Sequence, residues 1–260
     1  MFSGAVQSPV LSLFSSTSSE PLRLFSLHKD NSLPADSFIH LLHDETSFPP
    51  PTPPANLISS PAIVGETETE SPAYSLNQTV LHIQSPTLPT TYIHSPPIQQ
   101  PLLEAHRRSS DELWVKHPWL HIQVRNMGRE WSLEVGLVDQ TGRSGILRLS
   151  TFQKQAKLVL RNRFPLLHLP LTFPHASSRP LTAWATLSLH LPSYLQQFNS
   201  IQHHSEEGDV TSIATCVPGG SYSHLSYVRV YATCRLRRIW FTESGSIQQL
   251  PQEFQLFGSS

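Results

Sequence analysis

Leu225-Ser226-Tyr227-Val228-Arg229-Val230-Tyr231-Ala232-Thr233-Cys234-Arg235-Leu236-Arg237-Arg238-Ile239-Trp240-Phe241 decides the fold class. Val228, Val230, Ala232, Cys234 and Leu236 alternate with Tyr227, Arg229, Tyr231, Thr233 and Arg235. A two-residue side-chain period belongs to a strand with one buried face. Past Leu236 the apolar set resumes at Ile239 and Phe241, so the parity flips between Arg237 and Arg238. A strand changes faces only through an irregularity, and a bulge or turn is expected there. Two readings of the polar positions fit. They form either the solvated face of a core strand or an arginine-rich docking patch of Arg229, Arg235, Arg237 and Arg238, with Trp240 partly exposed beside them as an interface anchor.

On either side of this stretch the same alternation recurs. Leu120, Ile122 and Val124 alternate with His121, Gln123 and Arg125; a turn at Asn126-Met127-Gly128 follows; then Trp131, Leu133, Val135 and Leu137 alternate with Ser132, Glu134 and Gly136. This reads as a hairpin. Trp184 through Leu191 repeats the pattern until Pro192, after which residues 193–198 suit a short helical turn. Pro170 within Leu166–Leu171 marks an edge strand. Leu11, Leu13 and Phe14 open a short globular segment; further strands are expected at Pro21–Leu27, Thr79–Gln84 and Thr90–His94, and Phe38–Leu42 suits either a strand or one helical turn. Short alternating strands at this spacing predict an all-β fold, a single antiparallel β-sandwich of jelly-roll-like form. Solid apolar runs, which a parallel α/β sheet would show, are missing.

The sandwich is expected to occupy residues 1–260 as one domain, interrupted by three loops. At about 45–77 the chain becomes proline-rich, then acidic (Gly65-Glu66-Thr67-Glu68-Thr69-Glu70), and reads as disordered. The second loop, about 96–111, holds Arg107-Arg108-Ser109-Ser110, which suits a basophilic kinase but is a low-specificity pattern. The third spans about 200–223.

Charge is divided unevenly. Residues 1–100 hold 2 Lys/Arg and 8 Asp/Glu, while residues 101–260 hold 16 and 11, so a mildly basic body is offset by an acidic stretch to a net −1. Such a body suits an acidic partner without choosing its class. No run of 18 apolar residues suggests a membrane span, and Met1–Val6 lacks the basic start of a secretory leader. Two cysteines, Cys216 and Cys234, fit a reducing compartment, with Cys234 placed as a small core residue by parity.

The motifs of chemistry are missing. His203-His204 near Glu206, Glu207 and Asp209 has no accompanying zinc-ligand spacing, so no metal is expected. Gly219-Gly220-Ser221-Tyr222-Ser223 does not complete a nucleophile elbow. Phosphate-cradling and dinucleotide-binding glycine patterns do not occur, so no cofactor is expected. Glu130, Glu134 and Asp139 read as surface carboxylates rather than a glycosidase pair. The expectation is a non-enzyme without catalytic residues. A carbohydrate- or ligand-binding jelly roll using exposed tryptophans, and a nuclear or RNA-associated factor using the arginine patch, remain as alternatives.

Several separated pieces, in order, resemble the cilia- and flagella-associated protein 20 (Bug22-type) family. They are Met1-Phe2 with Gln7-Ser8; Thr90-Thr91-Tyr92-Ile93; Trp114-Val115-Lys116-His117-Pro118-Trp119-Leu120; Ser150-Thr151-Phe152-Gln153; Trp184 through Leu191; Val228 through Phe241; and Leu250-Pro251-Gln252-Glu253-Phe254-Gln255-Leu256. The Cys234-Arg235-Leu236-Arg237-Arg238-Ile239-Trp240-Phe241 piece is the most specific. The resemblance implies a non-enzymatic sandwich that bridges tubulin and neighbouring junction proteins at the inner junction of axonemal doublet microtubules. It implies a place in the cytoplasm and cytoskeleton, at the cilium axoneme and basal body, with some members in the nucleus. Nucleic acid is not the expected partner, and neither is a membrane. The three loops and the near-neutral charge depart from the family's compact, basic form.

Overall fold

A computed structural model of the chain describes residues 1–2, 6–49, 78–98, 112–160, 164–173, 183–204, 217–245, 251–254 and 256. Among the described residues alternating sequence yields thirteen strands: β1 (Val10–Ser15), β2 (Ser26–His28), β3 (Phe38–His43), β4 (Thr79–Gln84), β5 (Tyr92–Ser95), β6 (Trp119–Asn126), β7 (Ser132–Asp139), β8 (Ser144–Ser150), β9 (Lys157–Val159), β10 (Leu166–Pro170), β11 (Trp184–His190), β12 (Tyr222–Tyr231) and β13 (Cys234–Thr242). They form two sheets of an all-β sandwich. The six-stranded sheet runs β11-β6-β13-β4-β3, with β1 also paired to β13. The seven-stranded sheet runs β2-β5-β12-β7-β8-β10-β9. Pairing is antiparallel except between β10 and β8.

One hydrophobic core fills the space between the sheets. Leu81, Ile83, Ile122, Val124, Cys234, Leu236 and Ile239 face it from one sheet, and Ile93, Leu133, Val135, Leu147, Val228 and Val230 from the other. Cys234 is a free, fully buried thiol, and burial pushes its pKa up to about 12.

The deciding stretch is not one strand. Its alternation continues unbroken through Ala232 and Thr233, yet the chain there passes from β12, third in the seven-stranded sheet, to β13, third in the six-stranded one. Parity survives because both strands turn the same residues toward a shared core. The expected hairpin of residues 120–137 fails in the same way. β6 belongs to one sheet and β7 to the other, and β7 instead pairs with β8. An amphipathic period names the buried side of a strand, not its neighbour.

The bulge is where the parity flip places it. Leu236 pairs with Val124 and Arg238 with Gln123, leaving Arg237 as the extra residue. Pro170, by contrast, is not on an edge strand, since β10 lies between β8 and β9. Three-residue β9 stops opposite His168, so the proline's missing N–H faces no ladder partner.

Residues 191–204 form a 14-residue helix, α1 (Leu191–His204), rather than one short turn. Pro192 sits in its first turn, where the absent N–H costs nothing. Leu191, Leu195 and Phe198 are buried along one face. The helix runs into the stretch read as a third loop, and β12 begins before that stretch ends. Most of the remainder of that loop, most of the other two, Cys216 and Arg107-Arg108-Ser109-Ser110 lie outside the described residues, as do Glu206, Glu207 and Asp209. Among the described residues no helix is long and apolar enough to cross a membrane, and no group of three or more His, Cys, Asp or Glu is arranged to hold a metal ion.

Candidate functional site

Every arginine singled out from the sequence lies on an outward sheet face, but three of the four are covered. Arg235, Arg237 and Arg238 are only 6 %, 5 % and 7 % exposed, and Trp240 is 0 % exposed. The expected exposed patch on the six-stranded sheet is therefore corrected: two flanking segments fold over it.

At one end lies Asp44, just after β3, with its side chain fully buried. Its Oδ1 accepts hydrogen bonds from Arg235 Nη1 at 2.8 Å and Arg125 Nη1 at 3.1 Å, and its Oδ2 accepts from Trp184 Nε1 at 2.8 Å. Arg235 also donates to Ser47 Oγ at 2.6 Å and to His82 Nδ1 at 3.3 Å. The guanidinium is thus spent on internal contacts.

At the other end the 3-10 turn Gln252–Phe254 closes the face. The bulge sets Arg237 and Arg238 side by side on the outward surface, where Arg237 Nη2 donates to the Glu253 carbonyl at 2.9 Å and Nη1 to Gln123 Oε1. Arg238 lies 4.7 Å from the Phe254 ring centroid, a cation–π distance. Phe254 packs edge-on against Trp240 at 5.3 Å, and Gln123 Nε2 donates to its carbonyl. Burial, then the neighbouring Arg238, lowers the Arg237 pKa to about 10; burial also lowers that of Arg238. The bulge is legible from sequence; its cover is not, because nothing in Pro251–Phe254 names its target.

The outward face of the seven-stranded sheet is different. Register sets His94, Arg229, Glu134, Arg148, His168 and Lys157 in one row across β5, β12, β7, β8, β10 and β9. Glu134, whose side chain is only 2 % exposed, is its centre. Arg148 donates to Glu134 Oε2 from Nε at 2.9 Å and from Nη2 at 2.6 Å. Arg229 Nη1 and Tyr227 Oη donate to Oε1 at 3.0 and 2.9 Å, and Tyr231 Oη to Oε2 at 3.3 Å. Glu134 is accordingly no plain surface carboxylate, and Asp139, 1 % exposed, also turns inward to accept amides of Gly219 and Gly220 at 3.1 Å each.

Rings fill the gaps in this row. Arg229 stands 4.7 Å from the Tyr92 centroid and 5.6 Å from that of Tyr227, while His28 stacks on Tyr92 and His94 on Tyr227. Burial, opposed by a hydrogen bond to the Pro96 carbonyl and reinforced by Arg229, lowers the His94 pKa to about 4. His28 and His168 are also lowered, by burial and then by Arg229 and Arg148 respectively. Tyr227 is raised well above the usual phenol range, by burial and then by the Glu134 charge.

Of the sequence-derived candidates, only Arg229 keeps solvent access, with 24 % of its side chain exposed. Glu134, Arg148, Tyr92, His94 and Lys157 were not foreseen as its neighbours. Their outward parity was readable, but the strand order that aligns them was not.

A model of the CFA20 domain matches residues 69–258, a span that includes β4 through β13. Cilia- and flagella-associated protein 20 of Chlamydomonas reinhardtii is 24 % identical over 186 residues, covering 70 % of this chain and 75 % of that protein.

Proposed function

The chain belongs to the CFA20 domain family, and from that premise we propose that it is a non-enzymatic structural protein of cilia and flagella. Its task is contact: the sandwich binds doublet microtubules at the inner junction, together with other axonemal junction proteins, and supports cilium assembly and motility. The observation that carries this reading is family membership across most of the chain, including both central strands β12 and β13. A rigid body supports it, since opposite faces of one packed core can hold two partners at a fixed separation. The half-exposed basic face of the seven-stranded sheet suits an acidic polymer surface.

A fluorescently tagged copy tests this in ciliated cells. It is expected to remain with detergent-extracted axonemes, and the purified chain to co-sediment with microtubules in a salt-sensitive way. A protein absent from axonemes that also fails to pellet at low ionic strength would overturn the reading.

A further inference from the structure

We propose that the outward face of the seven-stranded sheet, centred on Arg229 and Arg148 over Glu134, is the docking surface for an acidic polypeptide segment. The assignment rests on the reading above, that the chain works by contact rather than by reaction.

Arg229, Arg148 and Lys157 stand in a row with a single carboxylate, Glu134. Three cations against one anion leave the row with unbalanced positive charge. His28, His94 and His168 in the same region have lowered pKa values and add little to it at neutral pH.

Donors are available where the charge is. Arg229 spends Nη1 on Glu134 and Tyr231, and Arg148 spends Nε and Nη2 on Glu134. Among the described residues no hydrogen bond engages Arg229 Nη2 or Arg148 Nη1. Their side chains are 24 % and 32 % exposed, and Lys157 at the edge is exposed. Glu134 and the tyrosine hydroxyls hold both guanidiniums in place, so little ordering remains to be done on binding. Strands about 4.8 Å apart make this six-residue row roughly 24 Å long, which matches about seven residues of extended peptide. Phe152, 37 % exposed and 5.7 Å from the His168 ring, offers an apolar contact near one end.

The rings favour peptide over nucleic acid. A base-stacking platform needs an open aromatic face. Here Tyr92 is already stacked by His28 at 4.5 Å and has the Arg229 guanidinium at 4.7 Å, and Tyr227 is stacked by His94 at 5.2 Å. The exposed chemistry is guanidinium and ammonium, whose natural complement here is carboxylate.

The test uses the full chain and a fluorescein-labelled ten-residue polyglutamate peptide, read by anisotropy. Saturable binding that weakens as salt rises is expected. Lys157→Glu, at an exposed position, should weaken it about fivefold. Arg229→Gln, which removes a charged donor, should weaken it at least tenfold. If Arg229→Gln fails to fold, Lys157→Glu and Arg148→Lys carry the test. No saturable binding at low salt, or unchanged affinity in natively folded variants, would overturn the proposal, as would tighter binding of a single-stranded oligonucleotide than of the peptide. Peptide affinity is scored apart from microtubule pelleting. A chain absent from axonemes that fails to pellet at low ionic strength, with peptide binding intact, would sink the proposed function and leave the docking surface standing.

Discussion

Trp184 donates its indole N–H to Asp44 Oδ2 at 2.8 Å, tying β11 at one edge of the six-stranded sheet to the residue that follows β3 at the other. The bond spans the sheet because Arg125 and Arg235, in register between them, bring their guanidiniums to the same carboxylate. Asp44 is therefore the common acceptor for three strands.

Asp44→Asn should cost about 3–5 kcal/mol, because it leaves the buried Arg235 guanidinium without its counter-charge. Urea unfolding measures it. A loss under about 1 kcal/mol would show that the network rearranges freely.

Phe254→Ala should uncover the outward face of the six-stranded sheet. Phe254 is 6 % exposed and touches both Arg238 and Trp240. Truncation of a large buried ring costs about 3 kcal/mol, and Trp240 should become accessible to acrylamide. Quenching equal to that of the parent protein would mean that other residues shield Trp240.

Gly136→Ala should disturb the basic face from beneath. A Cβ at Gly136 would collide with Ser226 Oγ and lie 2.5 Å from the Tyr227 ring, so β12 or the ring must move. A loss of about 1–3 kcal/mol is expected from such overpacking, together with weaker polyglutamate binding. Unchanged peptide affinity in this variant would show that the position of Tyr227 does not matter to the guanidiniums.

Acid should destabilise the fold before any carboxylate titrates in bulk. His121, wholly buried between Ser188 and Thr242 hydroxyls at 2.8 Å each, has its pKa lowered by burial to about 4, and His94 is lowered similarly. Unfolded histidines titrate near 6.5. Between these values the unfolded chain binds more protons than the folded one, so stability is full above about pH 6.5 and falls as pH drops toward 4. Denaturant midpoints across pH 7.5 to 4.5 should trace this slope, and His121→Asn should flatten it. A slope the same in the variant would assign the loss to other groups.

The two-residue period was enough to read the fold class, because burial on a pleated sheet imposes it directly. Cys234 in the core and the bulge at Arg237 followed from the same parity. Sheet membership did not follow: Leu225–Phe241 reads as one strand, and residues 120–137 as one hairpin, because both layers bury the same side. Exposure of Arg235, Arg237, Arg238 and Trp240 was misread for another reason. An outward position is solvated only when nothing crosses it, and Asp44 and Phe254 are remote in sequence from the residues they cover. Helix α1 was shortened in the sequence reading because Pro192 looked like a stop signal, whereas a first-turn proline begins a helix.

Crossing between layers through Ala232 and Thr233 also has a mechanical meaning. A pull on Arg229 enters the backbone of β12, an interior strand of its sheet, and reaches β13, an interior strand of the opposite sheet, along covalent bonds. Sliding one layer past the other would have to drag that continuous thread sideways through a close-packed interior. A partner gripping either face would in effect hold both, as a rivet joins two plates.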